Sequence, residues 1–553
     1  MLWELLWNWL AHFRNVALSR FSRMIFLNSF TGQGRLSFAV FLVFTAVLCG
    51  ALVMVIEVLG SRIVGPFFGV SLFVWTSLIT VTLLALAIGY ALGGWLSDRR
   101  PSPDYLYAII CIAGLLVLLV PLLQAQVLEL CQPLGLRIGA LSSTLLLFGP
   151  PLLLLGCVSP YLVKIAAQEF DQIGSTVGRF YAYSTLGSCI GTLVTGFVLI
   201  TYLGVNRIFQ LSGALLIVLS VAYFLMYRKF VPVAAALMLP YVLAAHPQPH
   251  TEVLPNGTKA TLIASRDSFY GNIKVVDYSY ERTRTRELLI DGLIQGGIDQ
   301  VSGLSIYGYS YFLQYLPRTL NPGGTRCLVI GAGAGLIPRW YEDQGISTDV
   351  VDIDPVILTT AREYFGYSPR GDIFIQDARY FLTATSRKYD YMILDVFNGD
   401  TTPSHLMSLE AFRLMRARLA DTGVLAMNLV VSLENRAFVT SSLLKTLREV
   451  FGTVLIYPGF EANQEDSFGN VAVIAYPGNA RPVSMDKLNF PVHRLARSNV
   501  FPSILRAYEF ESDEDAIILT DDYNPIDVLD SSVREGVRRN ILSGTPWKIL
   551  SFQ

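Results

Sequence analysis

The chain has 553 residues, of which 52% are hydrophobic and only 15% are charged, and its formal net charge is −1. Soluble domains carry about 25% charged residues, so this composition excludes an ordinary soluble protein, and a charge near zero gives no reason to expect a nucleic-acid partner. Charged residues are scarce between Leu36 and Ala245 and frequent afterwards, which predicts a membrane half and a soluble half. The cysteines and histidines are scattered, and we therefore expect no metal site.

The membrane half is predicted to be an α-helical polytopic domain covering residues 36–245. It is preceded by an amphipathic cytoplasmic or interfacial segment, residues 1–35, in which Trp3, Trp7 and Trp9 lie among apolar residues. Six segments are long enough to cross a hydrocarbon core of about 30 Å: Leu36–Leu59, Val70–Leu96, Leu106–Leu123, Ile138–Val158, Tyr181–Leu203 and Ile208–Tyr227.

Positively charged residues alternate between the two ends of these segments. One group comprises Arg14, Arg20, Arg23, Arg35, Arg99, Arg100, Lys164, Arg179, Arg228 and Lys229, and the other only Arg62, Arg137 and Arg207. Cytoplasmic loops are the ones rich in Lys and Arg, which predicts that the N-terminus and the end of the sixth span are cytoplasmic.

A seventh apolar segment, residues 231–245, is short and contains Pro232 and Pro240. A helix of about 15 residues reaches only ~22 Å, which favours an interfacial or re-entrant segment. If it spans instead, the soluble half lies outside the cytoplasm. We therefore expect an integral protein of the inner (plasma) membrane whose soluble half is cytoplasmic.

The soluble half is predicted to consist of a small β-domain, residues 246–300, and an α/β Rossmann-like domain, residues 301–553. Strands are expected at Cys327–Ile330, Thr348–Ile353, Ile373–Gln376, Tyr391–Leu394 and Val424–Leu429. Strands that alternate with helical segments form a parallel sheet, and ligands bind at the carboxyl ends of its strands. Those ends carry Gly331–Gly335, Asp352, Asp377 and Asp395.

Gly331, Gly333 and Gly335 follow an apolar strand, and Asp352 ends the next one. Glycines let the backbone approach a ligand closely, and an acid at the second strand accepts hydrogen bonds from ribose hydroxyls. A dinucleotide fingerprint has a further glycine where this chain has Leu336, which favours S-adenosylmethionine or a relative over NAD. Asp377, after the third strand, is placed to hold an adenine amino group.

These motifs resemble the spermidine synthase family of aminopropyltransferases. The similarity covers roughly residues 255–530 and rests on Ile290–Gln295, Gly331–Gly335, Val351–Asp354, Asp377-Ala378 and Tyr389–Asp395. The membrane half resembles the multi-spanning domains that are fused to such domains in some bacterial proteins, through Glu57–Pro66 and Tyr181–Gly196. The resemblance implies a small β-domain before a methyltransferase-like fold, decarboxylated S-adenosylmethionine as donor, a polyamine acceptor, no metal and a possible homodimer.

The resemblance also implies roles for individual residues. The donor would contact Gln295, Gly331, Gly333, Gly335, Asp352, Asp377 and Ala378. Asp395 would face the sulfonium and the acceptor amine, with a hydroxyl from Tyr309 or Tyr307. The second catalytic acid of the family is replaced by Asn398, so Asp400 is the candidate substitute. Asp291, Asp521 and Asp522 are candidate acceptor ligands.

Three functions follow from these observations. The leading one is aminopropyl transfer by a membrane-integrated enzyme to an amine, with methylthioadenosine as the other product. The second is methyl or other group transfer from intact S-adenosylmethionine to a membrane-associated acceptor. The third is a transporter whose soluble domain senses a nucleoside or polyamine. In each, membrane lipids surround the first half of the chain.

Overall fold

The computed structural model describes residues 33–69, 72–169, 173–228, 251–254, 256–397, 403–434, 437–462, 468–481, 483, 490–526 and 536. Residues 1–32, the apolar segment 231–245 and Asp400 lie outside this part of the chain. The predictions made for them therefore stay predictions.

The first half is helical. Its helices are α1 Gln33–Phe68, α2 Leu72–Arg99, α3 Pro103–Cys131, α4 Gly135–Gly156, α5 Val158–Glu169, α6 Ile173–Val194 and α7 Val205–Tyr223. π-Helical residues extend α6 through Leu199 and α7 through Arg228. Leu, Ile, Val and Ala are the prevailing residues of α1, α2, α3, α4 and α7. Side chains such as Tyr202 and Phe197 are more than two-thirds exposed, as expected of helices that face lipid.

Five continuous helical stretches in the described residues are long and apolar enough to cross a membrane: Phe38–Phe68, Phe73–Arg99, Pro103–Ala166, Gly174–Leu199 and Val205–Tyr227. The third has 64 residues and comprises two of the predicted segments. It turns back at Gln132–Leu134 and at Gly135, whose φ of +77° lies in the left-handed region, and α3 and α4 then pack against each other.

Glycines set the directions of the membrane helices. A Cβ on Gly187 would lie 2.1 Å from the Val47 carbonyl oxygen, and one on Gly191 would lie 2.4 Å from that of Ala51. Because both partners advance by four residues, α1 and α6 run parallel at backbone contact. α3 and α7 run antiparallel, since Asp104 accepts a hydrogen bond from the Tyr223 hydroxyl (2.6 Å) while Gln124, one helix length away, donates to Asn206 (3.2 Å).

The soluble half begins with a five-stranded antiparallel meander in chain order. Its strands are β1 Thr251–Val253, β2 Lys259–Asp267, β3 Asn272–Tyr280, β4 Thr283–Ile290 and β5 Leu293–Asp299. Successive strand residues point to opposite faces. Val276 and Leu289 are buried in the same core as the membrane helices, whereas Val275 and Leu288 are buried against the domain that follows. The small sheet therefore lies between the two larger parts of the molecule.

The second sheet has seven strands in the order β11-β12-β10-β9-β6-β7-β8. They are β6 Arg326–Ile330, β7 Ser347–Asp352, β8 Ile373–Ile375, β9 Tyr389–Leu394, β10 Leu419–Ser432, β11 Thr453–Pro458 and β12 Phe468–Tyr476. β12 is antiparallel to both neighbours and the other pairs are parallel. All five predicted strands are present, and the Rossmann-like fold is confirmed.

The helices of this domain are α8 Gly308–Leu320, α9 Leu336–Asp343, α10 Pro355–Phe365, α11 Ala378–Ala384, α12 Leu409–Arg418, α13 Phe438–Arg448 and α14 Arg494–Ile504. Two separate apolar cores lie on the two faces of the sheet. Val329 and Ile393 belong to one core, and Leu328 and Met392 belong to the other. This two-sided burial is what a parallel sheet covered by helices requires.

Candidate active site

The glycine loop joins β6 to α9, and its backbone has the geometry that the sequence predicts. Gly331, Gly333 and Gly335 have φ of +93°, +49° and +74°, in the left-handed region that favours glycine. A Cβ on Gly331 would lie 2.1 Å from the Asp395 carbonyl oxygen, and one on Gly335 would lie 2.5 Å from the Tyr367 ring. The loop is therefore packed against the end of β9.

Asp352, at the end of β7, holds this loop in place. Its two carboxylate oxygens accept hydrogen bonds from the backbone N–H groups of Ala332 and Asp354, each at 2.8 Å. Burial raises its pKa to about 6. The two backbone hydrogen bonds oppose this rise, and the charge of the nearby Asp354 adds to it. Each carboxylate oxygen has a second lone pair, so Asp352 can still accept hydrogen bonds from ribose hydroxyls.

Asp377 and Ala378 begin α11 at the next strand end. One oxygen of Asp377 caps the helix by accepting from the Tyr380 N–H (2.9 Å), and the other lies 3.0 Å from Nε2 of His405. Ala378 is buried beneath this cap. We call Gly331, Gly333, Gly335, Asp352 and Asp377 the nucleoside cluster.

Tyr270, in the turn between β2 and β3, is close enough to Asp352, Asp354 and Asp377 for their charges to act on its hydroxyl. Burial is the main cause that raises the pKa of its hydroxyl, and the charges of Asp354, Asp377 and Asp352 raise it further. The small β-domain therefore brings an exposed aromatic ring to the nucleoside site, where a ring can stack on a base.

Asp395 follows β9 and lies beside the glycine loop. Its Oδ1 accepts a hydrogen bond from Nδ2 of Asn428 on β10 (2.9 Å). Burial raises the pKa of this carboxyl to about 6, and the Asn428 amide partly opposes the rise. A carboxylate with a pKa near neutrality is a suitable acceptor for an amine proton.

Tyr309, at the start of α8, faces Asp395. Its hydroxyl donates to the Gln295 carbonyl oxygen (2.9 Å). Burial is the main cause that raises the pKa of this hydroxyl well above the usual value, and the Asp395 charge raises it further. A Cβ on Gly333 would lie 3.6 Å from the same Gln295 oxygen. The structure therefore brings Gln295, Tyr309, Asp395 and the glycine loop together, and donor binding by these residues stays a prediction.

Glu287 on β4 extends this group, and sequence reasoning missed it. Its Oε1 accepts a hydrogen bond from the Tyr307 hydroxyl (2.8 Å). Burial raises its pKa to about 7, and this hydrogen bond partly opposes the rise. The rings of Tyr307 and Tyr309 are stacked with centroids 6.5 Å apart. We call Glu287, Tyr307, Tyr309 and Asp395 the acid–tyrosine cluster.

The acid–tyrosine cluster has no basic partner within the described residues: none of its four side chains forms a hydrogen bond or an ion pair with Lys or Arg there. Two carboxyl groups and two hydroxyls are acceptors that suit a cationic amine.

Two candidate acceptor residues lie away from this cluster. Asp291 has a φ of +47° in the β4–β5 turn, is buried, and accepts from the Asn272 N–H (2.9 Å). Burial lowers the pKa of the buried Lys274 to about 7, and the charges of Asp267 and Asp291 partly oppose this decrease. Asp291 therefore belongs to a charged group inside the small β-domain.

Asp521 lies beside the nucleoside cluster rather than the acid–tyrosine cluster. It forms an ion pair with Arg379 of α11 (Nη1 to Oδ1, 2.7 Å) and accepts from the Ser408 hydroxyl (2.5 Å). The Arg379 guanidinium is the main cause that holds the pKa of Asp521 below its usual value. Asp522 is exposed. Binding of an acceptor by Asp291, Asp521 or Asp522 stays a prediction, which these contacts do not favour.

Glu287, Asn428 and Tyr270 are functional candidates that the sequence did not indicate. Asn428 is a buried polar residue within the apolar run of β10, and buried polar groups are normally hydrogen-bonded. That lone polar position is a signal that would have found it. Glu287 has no such signal, because its strand mixes polar and apolar residues.

Residues 307–458 match the family model of the spermine/spermidine synthase domain. Among curated proteins, the chain is similar to a polyamine aminopropyltransferase of Vibrio vulnificus, with 29% identity over 246 residues, which are 39% of this chain and 76% of that protein. It is also similar to an N-terminal histidine N-methyltransferase of Emericella nidulans, with 27% identity over 447 residues, which are 72% of this chain and 76% of that protein. The latter similarity extends into the apolar half.

Among solved structures, the chain is similar to a probable spermidine synthase from Corynebacterium glutamicum. The identity is 18% and the TM-score 0.39, and the alignment covers 47% of this chain and 96% of that one. Human methyltransferase-like protein 13, solved with SAH, gives 20% identity and a TM-score of 0.27 over 37% of this chain and 94% of that one.

Proposed function

We propose that the chain, a transferase whose residues 307–458 match the family model of the spermine/spermidine synthase domain, transfers an aminopropyl group to an amine or polyamine acceptor. The donor is decarboxylated S-adenosylmethionine, and methylthioadenosine is released. One observation carries this proposal. Glu287 accepts a hydrogen bond from Tyr307, whose ring is stacked on that of Tyr309, and Asp395 adjoins the glycine loop. In the described part of the chain, no Lys or Arg is hydrogen-bonded or ion-paired to these four side chains.

The nucleoside cluster holds the donor, with Asp352 on the ribose, Asp377 on the adenine and Gln295 near the sulfonium. The amine lies in the acid–tyrosine cluster. Asp395 accepts a proton from the attacking nitrogen, and the nitrogen forms a bond to the aminopropyl carbon. The C–S bond breaks and its electron pair neutralises the sulfonium. Since the electrophile is already charged, alignment and deprotonation supply most of the rate.

Methyl transfer from intact S-adenosylmethionine is the second candidate. The similarity to the Emericella nidulans N-methyltransferase favours it, because that similarity covers most of both chains. The acid–tyrosine cluster argues against it, since the donor carboxylate would lie near Glu287 and Asp395 without a cation. A sensing role without turnover, coupled to transport, is the third possibility.

Product analysis by mass spectrometry tests all three. The detergent-purified full chain receives either donor, each with a panel of amines. We expect methylthioadenosine and a lengthened amine only from the decarboxylated donor. S-adenosylhomocysteine from the intact donor would instead establish methyl transfer. Binding of either donor without any product would leave the sensing role and overturn the proposed reaction. Asp421→Asn, at an exposed position remote from the site, is the matched control for Asp395→Asn in every assay.

A further inference from the structure

The membrane helices have two distinct ends, and the contacts between helices identify them. At the first end, Lys164 forms an ion pair with Asp98 (2.6 Å), and the Tyr161 hydroxyl donates to the Arg100 carbonyl oxygen (3.0 Å). Tyr223, near the end of α7, reaches Asp104 there. This end therefore contains the end of α2, the start of α3, α5 and the end of α7, and we call it the basic end.

The opposite end contains the end of α1 and the start of α4 and α7. The Arg137 guanidinium lies 4.5 Å from the centre of the Phe73 ring, which places the starts of α4 and α2 together. A Cβ on Gly139 would lie 2.5 Å from the Phe68 ring at the end of α1. Since α1 and α6 run parallel, the end of α6 and the start of α7 lie there as well.

The soluble half is attached to this second end. The backbone N–H of Val205, the first residue of α7, donates to Oδ2 of Asp267 at the end of β2 (3.1 Å). The Arg62 guanidinium, near the end of α1, donates to the Phe269 carbonyl oxygen in the following turn. Burial raises the pKa of Asp354, which lies beside the nucleoside cluster. The charge of Arg62 lowers that pKa, so Arg62 lies close to this carboxyl.

Positive charge is distributed unequally between the two ends. Among the described residues, the basic end carries Arg35, Arg99, Arg100, Lys164, Arg179 and Arg228, whereas the end that holds the soluble half carries Arg62, Arg137 and Arg207. Short loops rich in Lys and Arg remain in the cytoplasm. We infer that the basic end is cytoplasmic and that the active site lies on the non-cytoplasmic face of the membrane.

The path of the chain agrees with this arrangement. α7 and its extension run from Val205 at the soluble half to Arg228 at the basic end, a length of about 36 Å at 1.5 Å per residue. β1 pairs with β2 in the small sheet, so the chain has to return between 229 and 250.

The inference replaces the expectation of a cytoplasmic catalytic domain, which rested on a short segment with two prolines. It also limits the substrates, because donor and acceptor have to reach the site from the non-cytoplasmic side. It does not depend on which group is transferred.

Cysteine accessibility in intact cells tests the inference. Asp421→Cys and Thr422→Cys introduce thiols at exposed positions of the soluble half, and Pro101→Cys and Gly174→Cys introduce them at the basic end. The variants of the full chain are treated with a membrane-impermeant maleimide before and after permeabilisation, and the parent chain measures labelling of its own cysteines.

We expect the two soluble-half thiols to be labelled in intact cells, and the two basic-end thiols to be labelled at least tenfold more after permeabilisation than before. Protection of the soluble-half thiols in intact cells would overturn the inference, and so would labelling of the basic-end thiols there. Labelling requires neither substrate nor turnover, so a failure here is distinguishable from a failure of the proposed reaction.

Discussion

The nucleoside cluster and the acid–tyrosine cluster adjoin each other but are built differently. The first comes from successive strand ends of one parallel sheet, with Asp352 hydrogen-bonded to the loop after β6. The second joins Asp395 of that sheet to Glu287 of the small antiparallel sheet through the stacked rings of Tyr307 and Tyr309. The donor side therefore depends on local backbone geometry, whereas the acceptor side depends on how two domains pack.

Their electrostatics differ as well. Asp352 has both carboxylate oxygens hydrogen-bonded to backbone N–H groups, so its position does not depend on a ligand. Within the described residues, Asp395 and Glu287 each accept one side-chain hydrogen bond. Burial raises the pKa of Asp395 to about 6 and that of Glu287 to about 7. Groups with pKa values near the working pH are the ones that exchange protons during a reaction.

The largest effect that separates the two clusters is expected from Asp395→Asn. The substitution removes the proton acceptor but preserves the shape of the side chain. We expect kcat to fall by about 10²- to 10⁴-fold while the Kd of the donor changes by less than about threefold, as measured by single-turnover kinetics and calorimetry.

Equal losses of kcat and of donor affinity in Asp395→Asn would contradict this division, because they would place Asp395 in the nucleoside cluster. Asn428→Ala removes the amide that orients Asp395 without changing the acid. We expect a smaller loss of kcat in that variant. The acid limb of its pH–rate profile should shift to higher pH, because the amide lowers the pKa of Asp395.

The next largest effect is expected from Gly331→Ala. A Cβ there would lie 2.1 Å from the Asp395 carbonyl oxygen, at a φ of +93°. The loop has to move, and we expect donor affinity to fall about 100-fold and the free energy of unfolding to fall by about 2 kcal/mol. Gly333→Ala is the control, because its φ is also positive while its Cβ would meet only the Gln295 oxygen at 3.6 Å.

If Gly331→Ala and Gly333→Ala lose the same donor affinity, backbone conformation alone accounts for the loss. The contact between the loop and β9 would then not matter for binding. Differential scanning calorimetry of both variants separates loss of folding from loss of binding.

A smaller, more selective effect is expected from Glu287→Gln. The amide is neutral and cannot replace a carboxylate opposite a cationic amine, and we expect the KM of the acceptor to rise about 10-fold with little change in donor affinity. The pH dependence has a definite sign. Both acids are protonated below their raised pKa values, so kcat/KM for the acceptor falls as pH decreases through about 7 and then about 6.

Glu287→Gln removes the upper of these two steps. Tyr307→Phe is the matched variant: it retains the acid but removes the hydrogen bond that lowers the pKa of Glu287, so the upper step moves to higher pH. An unchanged pH profile in both variants would exclude Glu287 from acceptor binding.

The sequence predicts the backbone geometry of the glycine loop, but it indicates only some members of the acid–tyrosine cluster. Gly331–Gly335 and Asp352 are recognisable because their roles depend on neighbouring residues of one strand and turn. Glu287 is more than 100 residues from Asp395 in the chain, and it joins the cluster through its hydrogen bond with Tyr307. No local pattern encodes such a contact, which explains why Glu287 was missed while Asp291 was selected.

The smallest effect is expected from Asp521→Asn. Asp521 pairs with Arg379 and Ser408 at a half-exposed position, where an ion pair contributes about 1 kcal/mol or less. We therefore expect a small loss of stability and a change of less than about twofold in the KM of the acceptor. Asp522→Asn, at the adjacent exposed residue, is the control for the local loss of charge. A tenfold rise in acceptor KM confined to Asp521→Asn would move the acceptor site from the small sheet to the Arg379 side of the nucleoside cluster, and the division between the two clusters would have to be redrawn.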